Sequence, residues 1–103
     1  MSNNEERPLR IDTKTLRKAL ERALDHLDEM GHSSLDLRHD YYWNVPTTQR
    51  YDPYENPVEL DLGQLSFDLE HIEALASGRR DPVAYDLVWL ASLLRAIGEQ
   101  TTC

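Results

Sequence analysis

The sequence predicts a small α+β domain of order α-β-β-α-α, with a β-hairpin packed on helices. Three observations lead to it. Apolar residues recur at helical spacing near the start and end of the chain, a period-two alternation occupies the middle, and glycines and prolines fall at the junctions between these patterns. A chain of 103 residues is one domain's worth, enough for a small core without staples. That domain is expected over 11–103, after a polar, flexible tail at 1–10.

The first helix is expected from about Thr13 to Met30. Asp12 or Thr13 can cap its free N–H groups, and Gly31 can supply the left-handed stop. Leu16, Leu20, Ala23, Leu27 and Met30 step 4, 3, 4, 3 along the chain, a narrow seam that Leu24 widens. The period then changes. Leu35, Leu37, His39, Tyr41, Trp43 and Val45 alternate with Asp36, Arg38, Asp40, Tyr42 and Asn44, which predicts a strand with the first set buried and the second wet. Pro46, Pro53 and Pro57 mark an irregular connection, and Val58, Leu60 and Leu62 alternate with Glu59, Asp61 and Gly63 as a second, antiparallel strand.

The next helix is expected from Ser66, as cap, to Ser77, with Leu69, Ile72 and Leu75 inward and Gly78 as its stop. Asp81 and Pro82 resemble a cap and first turn for a last helix ending at Gly98. Its seam, Val83, Leu87, Leu90, Leu94 and Ile97, repeats the 4, 3, 4, 3 steps of the first helix, so the two seams are expected to pack together. Trp43, Leu87, Leu90 and Leu94 are the expected core.

Charge is distributed unevenly. Residues 51–78 contain seven acids (Asp52, Glu55, Glu59, Asp61, Asp68, Glu70 and Glu73) and no Lys or Arg, so −7 of the formal −8 lies in this stretch. Such a field attracts basic partners and repels nucleic acid and anionic membrane. An ordinary solvated surface intersperses both signs. Cys103, the sole cysteine, is the last residue; no internal disulfide is possible, which fits a reducing cytoplasm. The N-terminal residues lack the apolar core of a secretory signal, and no apolar run approaches the length of a membrane span.

Four groups of residues are candidates for chemistry. The exposed acids Asp52, Glu55, Glu59 and Asp61 would form a docking face. Tyr42, Tyr51 and Tyr54 would supply aromatic anchors beside it, or line a groove for a small molecule. His26, His32, His39 and His71 have no zinc spacing, and Asp36 and Asp40 fall on the strand face opposite His39, so no metal or other cofactor is expected. No nucleophile elbow or phosphate loop is present, and the sequence is read as a non-enzyme.

The run Tyr41-Tyr42-Trp43-Asn44-Val45-Pro46, then Tyr51-Asp52, Pro57, Gly63-Gln64-Leu65 and Asp68, resembles a pattern in small bacterial proteins of unknown function, as does Leu93-Leu94-Arg95-Ala96-Ile97-Gly98-Glu99. The resemblance spans about residues 34–99 and implies a bacterial, cytoplasmic origin but no activity. The residues themselves lead to an acidic interaction module for a basic protein partner, in the manner of an immunity protein or antitoxin. The alternative is a homo-oligomeric structural or regulatory protein, in which the long strand 35–45 or the helix seams self-associate, the strand edge as a symmetric homodimer.

Overall fold

The computed structural model describes residues 9–102. The tail expected at 1–10 therefore lies outside the described residues up to residue 8, as does Cys103. The chain divides into two compact units, Met1–Asp36 and Leu37–Cys103. The described elements follow the expected α+β order, with a one-turn helix added to the loop between the strands.

The first unit holds α1 (Thr13–Glu29). Asp12 occupies the cap position with extended backbone but makes no side-chain cap bond; only its carbonyl accepts, from the Leu16 N–H at 3.1 Å. The far end closes as read from the sequence. Gly31 adopts φ +86°, its N–H reaches the Asp28 carbonyl at 3.0 Å, and the His32 N–H reaches Leu27 at 2.8 Å, the paired bonds of a Schellman stop. None of the α1 residues is buried, and Leu16, Leu20 and Leu24 remain 39–49% exposed.

The second unit opens with β1 (Tyr41–Asn44), then α2 (Thr47–Arg50), β2 (Asp61–Gln64), α3 (Leu65–Ala76) and α4 (Asp86–Thr101). The strands pair antiparallel, with Tyr42 opposite Gly63 and Trp43 opposite Leu62. This corrects the sequence reading twice. The first strand has four residues, not the expected run 35–45, so the long free edge proposed for a dimer is absent. The faces are also exchanged: Tyr42 and Asn44 turn inward, while Tyr41 and Trp43 are 59% and 70% exposed. Glycine is the physical reason. A Cβ at position 63 would overlap the Tyr42 ring, so only a glycine lets that ring lie across β2. Val58, Leu60 and Leu62, expected inside, are likewise exposed.

α3 starts without a cap of its own. Asp40, just before β1, supplies one: its carbonyl accepts from Leu65 N–H at 2.6 Å, and its carboxylate accepts from Ser66 N–H at 2.8 Å and Ser66 Oγ at 3.1 Å. The start of the hairpin is thereby bonded to the start of α3. Gly78, at φ +79°, ends α3 with the same paired bonds as α1.

α4 begins four residues after the expected proline start. Asp86 reaches back to the Val83 N–H at 2.8 Å, and this turn, not Asp81-Pro82, initiates the helix. α4 also runs through Gly98 to Thr101. Its inward stripe is rotated from the predicted seam: Asp86 and Leu93 are buried and Leu90 and Leu94 half-buried, whereas Val83 and Leu87 are exposed. Of the four expected core residues, Trp43 and Leu87 are thus on the surface. Within this unit α3 packs on α4, and Leu65 of α3 and Leu93 of α4 are the buried apolar residues among those described.

Candidate functional site

The loop between the strands is pinned at its base. The Arg50 guanidinium donates to the Asn44 side-chain oxygen and, at 2.7 Å, to the Val45 carbonyl. Gln49 Oε1 accepts from the Val58 N–H at 2.7 Å, holding the returning segment of the loop to α2. At the tip, Asp52 accepts from the Tyr54 N–H at 3.0 Å, the side-chain turn that short acidic residues favour. Between these ties every residue from 51 to 60 is exposed, including Asp52, Glu55 and Glu59, and Asp61 is exposed at the start of β2. Among the described residues, the ion pairs involve none of these four acids. Tyr51 and Tyr54 are 81% and 91% exposed.

Tyr42 does not join them. It is half-buried, and its hydroxyl donates to Asp68 Oδ2 at 2.6 Å. The same oxygen accepts from Ser92 Oγ, also at 2.6 Å. Both distances fall in the range of charge-assisted O–H···O⁻ bonds. Asp68 is only 4% exposed, so this acid belongs to the interior and not to the surface field. Burial, and next the bond to Asp68, push the Tyr42 hydroxyl pKa above its ordinary value. Hairpin, α3 and α4 meet at this one carboxylate.

The other buried acid, Asp86, pairs through both oxygens with the Arg80 guanidinium. Arg80 holds the Asp86 pKa below the usual carboxylate range, helped by the Val83 N–H, and Asp86 in turn raises that of Arg80. Arg80 also donates to the His71 carbonyl at 2.9 Å and lies over the Trp89 ring at 5.5 Å. His71 stacks flat on Trp89 at 3.9 Å, and Phe67 and Tyr85 meet this pair edge-on. His71 is therefore a packing residue between α3 and α4. His39, expected on the buried face of the first strand, is exposed. Among the described residues no three His, Cys, Asp or Glu side chains converge as a metal site.

Among the described residues, open depressions flank the hairpin on two sides. One, of about 340 Å³, is lined by Leu37, His39, Tyr41 and Tyr42, with Ala96 and Gln100 of α4 opposite. The other, of about 870 Å³, runs between β1 and α4 past Tyr42, Tyr85 and Trp89. Tyr51 and Tyr54 line neither, so Tyr42, Tyr51 and Tyr54 do not form a shared groove in either depression. The feature that sequence reasoning missed is the outer hairpin face, where Trp43 and Leu62 are paired across the strands and exposed at 70% and 61%. Gly63 opposite Tyr42 was the available signal. Among the described residues no helix is long and apolar enough to cross a membrane.

No family model, curated protein or solved structure matches this chain.

Proposed function

We propose that the chain is a binding module whose loop 51–61 and outer hairpin face dock a basic protein partner. The supporting observation is a juxtaposition. Four solvent-facing acids, with no Lys or Arg among residues 51–78, lie on the loop joining two strands (Asp52, Glu55 and Glu59) and at the start of the second (Asp61), and these strands present an exposed Trp43–Leu62 pair. Desolvated aromatic anchors carry much of the energy of an interface, and a one-signed rim steers the partner in. Tyr51, Tyr54 and Trp43 are the anchors; Asp52, Glu55, Glu59 and Asp61 are the rim. Tyr42 contributes indirectly, by fixing the hairpin to Asp68. The module acts by occupying its partner and not by catalysis, as an inhibitor of the immunity or antitoxin kind would, in the cytoplasm.

The test begins with in-cell crosslinking from position 54, which selects a partner without presupposing charge. Glu59→Lys with Asp61→Lys should slow association and weaken its salt dependence, while Trp43→Ala should speed dissociation. A partner whose association rate ignores both salt and the double reversal would reduce the acidic loop to a solubilising surface.

A further inference from the structure

Two carboxylates are buried among the described residues, and they are compensated differently. Asp86 has the Arg80 guanidinium on both oxygens. Asp68 has no such counter-charge: the ion pairs among the described residues leave it out, and its donors are the neutral hydroxyls of Tyr42 and Ser92. Both hydroxyls bond the same oxygen, Oδ2. Among the described residues no donor reaches Asp68 Oδ1. Nor is Oδ1 sealed off, since among these residues the buried side-chain atom left without a partner is Arg80 Nε. A carboxylate taken out of water without a counter-charge is costly, and this one keeps one oxygen open to an approaching donor. Asp68 lines the larger depression, of about 870 Å³, whose walls include Tyr42, Tyr85, Val88 and Trp89. The two arginines of that lining are engaged elsewhere: Arg95 pairs with Glu99 at 3.0 Å, and Arg50 bonds Asn44 and Val45. Trp43, Asp61 and Leu62 line it too, so the depression is continuous with the docking face.

We propose that the basic partner inserts a lysine side chain into this depression and sets its ammonium on Asp68 Oδ1; the inference rests on the docking reading above. Lysine fits where arginine does not. A guanidinium binds a carboxylate best through two parallel bonds, one to each oxygen, and Oδ2 already accepts two hydroxyls. An ammonium is a compact charge that a single oxygen can hold. The alkyl stem of the lysine would lie along Val88 and Leu62, as such stems do on apolar surface. The aromatic walls would exclude water from the pair and so strengthen it. The exposed acids of the loop guide the partner in; Asp68, being buried, acts only after contact.

The experiment titrates the isotope-labelled full chain with a capped glycine-lysine-glycine peptide and follows it by NMR. The expected result is a saturable shift of the Asp68 carboxyl carbon, together with shifts at Tyr42, Ser92 and Trp89. The same peptide with norleucine in place of lysine, which keeps the stem and lacks the ammonium, should leave the Asp68 carbon unmoved, and the arginine peptide should bind more weakly than the lysine one. Asp68→Asn keeps an oxygen for the two hydroxyls but removes the charge; with folding checked by urea, it should weaken the lysine peptide about tenfold or more, as loss of a bond between charged groups does. In the complex with the crosslinked partner it should speed dissociation and leave association and its salt dependence unchanged, the reverse of Glu59→Lys with Asp61→Lys. The parent chain alone can overturn the proposal: by shifts confined to loop 51–61, by equal Asp68 shifts from the norleucine peptide, or by tighter binding of the arginine peptide. A lysine peptide that seats at Asp68 supports the depression as a lysine site even where the partner ignores the loop reversal. A partner that obeys the loop reversal while the peptide misses Asp68 overturns the lysine site alone.

Discussion

Gly63→Ala should destabilise the second unit although its backbone can accept alanine. Gly63 does not have a positive φ, so the substitution carries no backbone strain. By itself it should stabilise by about 0.4–1 kcal/mol, because alanine restricts the unfolded chain. The cost comes from Tyr42. The new Cβ would overlap the ring, which is held at its far end by the 2.6 Å bond to Asp68. The ring must move, and a hydrogen bond to a charged group is worth about 1.5–3 kcal/mol. The balance is a net loss of about 1–2 kcal/mol. Both tryptophans, Trp43 and Trp89, lie in this unit, so urea unfolding followed by their fluorescence reports it directly. The decisive comparison is a background change. In Tyr42→Ala the obstacle is gone, and Gly63→Ala should reverse sign and stabilise by about 0.4–1 kcal/mol. A neutral Gly63→Ala in the parent chain, or the same effect in both backgrounds, would refute the Tyr42–Gly63–Asp68 account.

Other expectations follow from the same geometry. Leu93→Ala should cost about 2–5 kcal/mol by urea unfolding and Leu87→Ala no more than about 0.5, the reverse of what helical spacing alone would rank. Asp86 and Asp40 have pKa values below the ordinary carboxylate value, Asp86 through Arg80 and Asp40 first through Gln64 and then Ser66. Their stabilisation is complete above about pH 4 and is lost as pH falls through the lowered folded values; Asp86→Asn should flatten the acid limb of urea midpoint against pH. Tyr42 has the opposite sign. Its raised pKa gives stability that is present below about pH 10 and is lost as pH rises through the folded value, so Tyr42→Phe should remove part of the alkaline decline.

What the sequence made legible was local. Gly31 and Gly78 stop their helices where read, because a left-handed residue after a periodic run needs no tertiary information. The exposed acids of loop 51–61 were equally legible, since proline-punctuated polar segments stay on the surface. What failed was phase. Tyr41, Tyr42 and Trp43 form an apolar run that suits either face of a strand. The choice was made by Gly63, a partner twenty-one residues on, and by Asp68 beyond it. The stripe of α4 failed for a related reason. Its interior side includes Asp86 and Ser92, which hydrophobic spacing counts as surface, but each has a polar partner on another segment: half-buried Arg80 for one, buried Asp68 for the other.

That substitution of polar tethers for apolar burial bears on how the protein works. Among the described residues the buried set is two leucines and two aspartates, while Trp43, Leu62, Leu87 and Phe67 face outward. A small unit with so little apolar surface withdrawn from water has a narrow margin of stability. Its hydrogen-bonded carboxylates fix one arrangement of hairpin and helices but add little net energy, because each bond replaces one to water. The remaining large hydrophobic side chains are then available for a second surface to cover. A partner that buries Trp43 and Leu62 would recover folding free energy as well as binding energy, since whatever binds the folded state stabilises it. The acidic loop would set how fast that partner arrives, and the outer hairpin face how long it stays.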